Sequence, residues 1–353
     1  MRGAFFLPCV SMKRLSFYFT LLLALFISAS FSCKKKKTSP NPTTSFYAKG
    51  ADISWLTEME SQGKKFYDAT SQEKECIQLL KNLSINSIRL RVWVNPTNGW
   101  NNTSDVLAKA IRAKAIGMKL MLDFHYSDTW ADPSQQTIPA AWASYDLATM
   151  KTAVYNHTFN VLTTLKQNGI IPTWVQIGNE VDNGMLWPMG KASISMSNFA
   201  SLEASGYDAV KAIDNSIQVI VHVSNGFDNS LFRWIFDGLK NNGGKWDIIG
   251  MSLYPPYNDW QTRTDQCLAN MNDLVGRYGK PIMITEVGMS WDQPSASQLF
   301  LKDIIAKNKS LGTNYGLGVF YWEPECNSNW NGYSLGAFDN SGKPTAAMNA
   351  FSN

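Results

Sequence analysis

The stretch Trp174-Val175-Gln176-Ile177-Gly178-Asn179-Glu180 reads as a short buried strand that runs straight into polar side chains. Trp, Val and Ile favour extended backbone, Gly178 punctuates the run, and Asn179-Glu180 stand where a loop begins. Working outward in both directions, the same grammar recurs every 30 to 50 residues or so, at Ala48–Ile53, Ser87–Val92, Leu120–Phe124, Val219–Val223, Ile248–Leu253, Pro281–Thr285 and Gly318–Trp322. With the first stretch this makes eight strands.

Helical periodicity fills the intervals. Asp105–Ile116 places Val106, Leu107, Ala110, Ile111 and Ala115 on one face and stops at Gly117, and Met150–Gln167 stops at Asn168-Gly169. Strands alternating with helices imply βαβ units and a parallel sheet, and eight units in about 300 residues favour closure over an open doubly wound sheet. The expected fold is α/β, a (β/α)8 TIM barrel in a single domain over 47–353. No Gly-rich phosphate fingerprint follows the first strand, and no internal repeat is visible.

Such barrels carry their chemistry at the C-terminal strand ends. Here those ends read Asp52; Arg89 and Arg91; Asp123 and His125; Asn179 and Glu180; His222; Tyr254; Glu286; Trp322 and Glu323. One solvated charge at a strand end is ordinary; polar groups at every end are not. Convergent carboxyl, imidazole, guanidinium and phenol groups, without a metal or phosphate motif, suit acid–base work on a neutral polar substrate.

Glu180 and Glu286 close the fourth and seventh strands. Glycosidic cleavage needs one protonated carboxyl for the leaving oxygen and one ionised carboxylate for the anomeric carbon, and a separation of about 5 Å gives retention of configuration. Glu180 is the expected acid/base and Glu286 the nucleophile, with Asn179 placed to bind a sugar hydroxyl. Arg89 and Arg91 share an inward face, so one or both would hold Glu286 ionised, a structural ion pair being the alternative. His125 and His222 are expected against sugar or a catalytic carboxylate, Tyr254 as a donor to Glu286, and His157 only as a packing or surface residue.

The ends and the composition bound the setting. Lys13-Arg14, the apolar run Leu15–Ile27 and Cys33 read as an export signal over 1–32, with Met12 a possible start, and the run is short for a membrane span. Cys33, between Ser32 and Lys34–Lys37, suggests lipidation, although Ser30 stands where Leu is expected. A Ser/Thr/Pro/Asn-rich tether over 33–46 would follow, so the mature protein is expected in the cell envelope, on the outer membrane or cell surface, touching membrane only through that lipid. Cys76, Cys267 and Cys326 remain, without metal-ligand spacing, and read as buried thiols with at most one disulfide among them. The net charge of +4 comes from the N-terminal region: its seven basic residues are unaccompanied by acids, leaving the rest near −3. Nucleic acid is therefore not an expected partner. No cofactor is expected.

At these residues the sequence resembles glycoside hydrolase family 53, the endo-β-1,4-galactanases. The likeness runs from Tyr47 onward through Gly50-Ala51-Asp52-Ile53-Ser54, Ile88–Pro96, Asp123–Pro133, Gly178-Asn179-Glu180, Leu186-Trp187-Pro188, Gly190 and Tyr321-Trp322-Glu323-Pro324. It implies hydrolysis of internal β-1,4 linkages in galactan and type I arabinogalactan. It puts Glu180 on the acid/base and Glu286 on the nucleophile. It also puts His125, Asp128 and Trp130 in the galactosyl-binding block, and Trp322 under the sugar beside the cleavage point. Asp52, Arg89, Asn179, His222 and Tyr254 complete the expected substrate-binding set. Some bacterial members carry a calcium loop after strand seven, but Val287–Gln293 is short here, and no calcium is expected there.

The nearest alternative is the same chemistry on mannan or xylan. A carbohydrate-binding lipoprotein without catalysis would not need both glutamates, and a barrel isomerase or aldolase would need a phosphate site or a Schiff-base Lys at a strand end.

Overall fold

The eight apolar runs all become strands in the computed structural model, which describes residues 46–327 and 330–352. They are β1 (Ala48–Asp52), β2 (Ser87–Val92), β3 (Lys119–Phe124), β4 (Trp174–Ile177), β5 (Gln218–Val223), β6 (Ile248–Leu253), β7 (Ile282–Val287) and β8 (Gly316–Trp322). Each pairs in parallel with its sequence neighbours, and β8 pairs with β1 to close the barrel. The export segment, Cys33 and nearly all of the tether lie outside the described residues.

Eight helices surround the barrel: α1 (Leu56–Ser61), α2 (Cys76–Asn82), α3 (Thr103–Ala115), α4 (Leu147–Gln167), α5 (Met196–Ile213), α6 (Asn229–Asn241), α7 (Trp260–Tyr278) and α8 (Pro294–Ser310). Five of them start at side-chain caps that apolar periodicity does not see. Asn102 accepts from the Asp105 amide and Asp146 from the Thr149 amide, so α3 and α4 begin two or three residues before the expected points. None of the described helices is long and apolar enough to cross a membrane.

Alternation along the strands divides the barrel interior into layers. The lower one is apolar, built from Ala48, Met121, Trp174, Ile220, Ile248, Met283 and Phe320. Each such large apolar side chain contributes about 1.5–3 kcal/mol relative to exposure. Phe320 fills the space beside Gly50, where a Cβ would lie 2.0 Å from its ring. Further toward the C-terminal strand ends the interior turns polar, with Asp52, Arg89, Asp123, Gln176 and His222 all buried. The barrel thus has an apolar base and a charged mouth.

One irregularity decides where the chemistry sits. Met251 pairs with Ile284, but the next residue, Ser252, pairs with Glu286, so Thr285 is an extra residue in β7. The Thr285 methyl faces the bare Gly250 backbone inside the barrel, 3.1 Å from where a Cβ would stand. Strict alternation from Met283 would put Thr285 inward and Glu286 outward; the bulge turns Glu286 inward as well. Cys76, Cys267 and Cys326 are buried and unpaired.

Candidate active site

A cleft of about 650 Å³ opens over the C-terminal strand ends, with Glu180 and Glu286 in its floor and Tyr254, Asn179, Trp130 and Trp322 among its walls. An oxygen of each glutamate lies within 4.8 Å of the other. That spacing suits direct attack on a sugar carbon held between them and leaves no room for an intervening water.

Glu286 is gripped on both oxygens. Oε1 forms an ion pair with Arg89 Nη2 at 2.8 Å, and Oε2 accepts from the Tyr254 hydroxyl at 2.7 Å. Arg89 is buried and spreads its five hydrogens widely. Nη1 donates to Asp52 at 2.7 Å, Nη2 gives its two hydrogens to Asp123 at 2.9 Å and to Asn179 Oδ1 at 3.1 Å, and Nε donates to Gln176 Oε1 at 2.8 Å. Burial alone would raise Asp123, but the Arg89 charge and His125 outweigh it and hold that carboxyl below its ordinary value. One cation thus organises three carboxylates.

Glu180 is held differently. Its backbone sits in the left-handed region at φ 43°, after Gly178 at φ 83°, a conformation costing about 1–2 kcal/mol for a residue with a Cβ. The turn is fixed from both sides, because the Val181 amide donates to the His222 carbonyl at 2.9 Å and Gln136 Nε2 to the Asn179 carbonyl at 2.8 Å. The carboxyl reaches the open cleft yet is enclosed by protein atoms. Burial first, and then the charge of Glu286, push its pKa well above the ordinary value. Burial raises Glu286 too, but Arg89 and Tyr254 pull it back. Both carboxyls stay above the ordinary value, Glu180 farther, so the proton favours Glu180 and the Arg89 charge favours ionised Glu286.

Aromatic rings make the walls. Trp322 meets Tyr333 edge-on at 4.8 Å, and Trp130 packs against Trp55, Trp93 and Trp322 at 5.4–5.9 Å between centroids. Arg91 lies beneath them, its guanidinium 4.0 Å from the Trp130 ring centre, and donates to Glu323 at 3.3 Å. It braces the aromatic wall and leaves Glu286 to Arg89, which resolves the choice between the two arginines.

Other expected residues take supporting places. His125 lines the cleft, but Nε2 donates to Asp123 at 2.9 Å and Nδ1 accepts from the Ala131 amide at 3.1 Å, so only ring carbon faces a ligand. Asp52 and His222 lie buried beneath the cleft and act through Arg89 and through their neighbours, without facing a sugar. Asp128 lies outside the cleft lining, and its oxygens accept from the Asn95 and Ala140 amides, both at 2.9 Å, which pins the loop carrying Trp130. His157 packs its ring against Phe124, Tyr126 and Trp142, as expected.

Sequence reasoning passed over Gln176 and Ser252. Gln176 is visible as the alternating partner of Trp174, an amide in an otherwise apolar buried run. Trp55, Trp93, Asn98, Asn331 and Tyr333 also line the cleft from loops, where only the density of Trp hinted at them.

Comparison with known proteins follows this geometry. The model of glycosyl hydrolase family 53 matches residues 48–351, nearly the whole described chain. The chain belongs to glycosyl hydrolase family 53. Relatives within family 53 include the Aspergillus niger arabinogalactan endo-beta-1,4-galactanase A, 33% identical over 297 residues covering 78% of this chain and 84% of the relative. A fungal beta-1,4-galactanase structure superposes with TM-score 0.79 at 29% identity, over 86% of this chain and 98% of that one. The Ignisphaera aggregans family 53 catalytic domain gives TM-score 0.79 at 29% identity, over 88% of this chain and 97% of that one. An intracellular xylanase from Thermoanaerobacterium saccharolyticum, at 17% identity and TM-score 0.60, shares the barrel. Four of the blocks that resembled family 53 in the sequence give the cleft Trp93, His125, Trp130, Asn179, Glu180 and Trp322.

Proposed function

We propose that this family 53 hydrolase cleaves internal β-1,4 linkages of galactan, including that of type I arabinogalactan, with retention of configuration. The observation that carries the reading is the Glu180–Glu286 spacing within 4.8 Å, combined with unequal partners on the two carboxyls. Glu286, ionised against Arg89 and Tyr254, attacks the anomeric carbon while Glu180 gives its proton to the departing oxygen. A covalent glycosyl-enzyme results. Glu180, now a carboxylate, takes a proton from water, which attacks the same carbon and releases Glu286. Asn179 spends one Nδ2 hydrogen on the Ala131 carbonyl at 2.9 Å, so the other is free for a sugar hydroxyl. The substrate assignment draws on the galactanase names of the relatives and on the family 53 resemblance of blocks that line the cleft.

The test is reducing-end release from potato galactan compared with xylan and mannan, with the anomer formed first read by proton NMR. Galactan cleavage giving the β-anomer is expected; activity on xylan or mannan alone, or an α-product, would overturn the reading.

The same proposal includes export and lipidation at Cys33, which rests on the order of charged, apolar and small residues around 13–37. Labelled palmitate should enter the wild type and fail to enter Cys33→Ser. Equal labelling of both would remove the anchor from the proposal.

A further inference from the structure

An acid/base carboxyl such as Glu180 needs a partner that sets its proton affinity. β6 supplies a candidate at the bulge. Ser252 pairs with Glu286 in register and is 1% exposed, its hydroxyl is the side-chain donor that draws the Glu180 carboxyl down against burial, and a His222 ring nitrogen lies within 4.8 Å of that carboxyl. The same Oγ lies 2.8 Å from His222 Nε2.

The direction of each hydrogen follows from a group that can only donate. Arg89 Nε donates to Gln176 Oε1, which fixes that amide, so Gln176 Nε2 must point its two hydrogens at Asp123 Oδ1, 2.9 Å away, and at His222 Nδ1, 3.0 Å away. The Glu180 amide also points at Nδ1, at 3.4 Å. Asn179 Oδ1 stands 3.0 Å from Nδ1, but it already takes a hydrogen from Arg89, so two donors face Nδ1 against one satisfied acceptor. Nδ1 is therefore bare and Nε2 carries the hydrogen. Buried beside Arg89, the ring stays neutral. His222 then donates to Ser252 Oγ, and the serine hydrogen is left for Glu180.

We propose that Ser252 is a positioning residue for Glu180, donating to its carboxyl through a hydrogen-bond chain that Arg89 directs by way of Gln176 and His222. The chain rests on Glu180 being the acid/base. Arg89 thereby touches both catalytic carboxyls, Glu286 directly and Glu180 through three intermediates. The bond strengthens as Glu180 ionises, so it assists proton release to the leaving oxygen and steadies the carboxylate that later activates water.

The experiment is the pH dependence of kcat/KM for Ser252→Ala and Ser252→Thr in the full chain, on galactan and on an aryl galactobioside with a highly acidic phenol as leaving group. The groups facing Glu180 are Glu286 on β7, Arg89 on β2, His222 on β5, Tyr254 after β6 and Asp182 in its own loop, and none of them is altered. The alkaline limb should move up by about half to one pH unit in Ser252→Ala, with kcat/KM on galactan down by about tenfold, as removing a donor to the charged form raises an acid's pKa. Ser252→Thr, which keeps the hydroxyl, should restore the wild-type limb, and the aryl substrate should hide the defect. An unmoved limb in Ser252→Ala, or equal shifts in Ala and Thr, would overturn the proposal. Glu180→Ala separates the two readings: full activity on galactan there removes the acid/base assignment itself, whereas a large loss beside an unmoved Ser252→Ala limb removes the chain alone.

Discussion

Two pairs of glutamates lie within the barrel mouth, and they are built on opposite plans. Glu180 and Glu286 come from β4 and β7, face a cleft, and have different companions: a serine for one, an arginine and a tyrosine for the other. Glu323 and Glu325 leave the end of β8 two residues apart and are sealed, 0% and 1% exposed. Glu323 accepts from the Trp55 amide at 3.2 Å and from Arg91, whereas neither oxygen of Glu325 has a donor among the described residues. Burial and then Asp52 raise Glu323 to about 7, and burial and then Glu323 raise Glu325 further, so the second pair favours keeping a proton. Unequal partners divide labour across the cleft pair; sealing turns the other pair into a place where a proton is stored.

The sharpest way to break the comparison is to delete the nucleophile. Glu286→Ala should lower kcat on galactan by about 10⁴-fold or more with the barrel intact by circular dichroism, in keeping with losses for covalent nucleophiles. Residual activity within about tenfold of wild type would mean that the cleft pair is not divided as described.

Arg89 is the next lever, because it makes the division. Arg89→Met should cost about 10²–10³-fold in kcat/KM. The sign of the pH effect follows from its role: Arg89 favours ionised Glu286, so its loss raises that pKa and moves the acid limb to higher pH. The variant also strands Asp52 and Asp123, so a folding defect is expected alongside. Tyr254→Phe is the gentler version. It removes one donor to Glu286 and should cost about 10- to 100-fold, with a smaller acid-limb shift in the same direction.

How far these roles were legible in the sequence depended on alternation. Period-two spacing placed Arg89 inward without ambiguity, and the strand ends delivered Asp52, Asp123, Asn179, His222 and Glu286. The same rule, continued along β7 from Met283, would have turned Glu286 away; the bulge at Thr285 depends on how Gly250 and Ser252 of β6 pack against it, which no local pattern encodes. Ser252 was missed for that reason, as an ordinary serine in an apolar run. Asp128 shows the opposite case. Its block pointed to sugar binding, yet an aspartate in a loop finds backbone amides nearby, and they take both its oxygens. The loop aromatics were out of reach because long-range closure, not neighbours in sequence, brings Trp55, Trp93 and Tyr333 to one wall.

The smallest effect tests the sealed pair. Both carboxyls have folded-state pKa values above those of an unfolded chain, so the folded protein holds a proton that the unfolded chain releases. Below the unfolded value, near 4.5, the pair carries no penalty; as pH rises through about 7 the fold loses stability relative to the open chain. Glu325→Gln replaces the raised acid with an amide that donates to Glu323 without needing a proton. Its melting temperature should exceed that of wild type by about 2–5 °C at pH 8, a range set by the size of the domain, and match it near pH 4.5. Activity on galactan should stay within about threefold, since Glu325 does not line the catalytic cleft. A drop in melting temperature at pH 8 would show that the buried Glu325 carboxyl carries no such penalty, and the contrast between the two pairs would lose its basis.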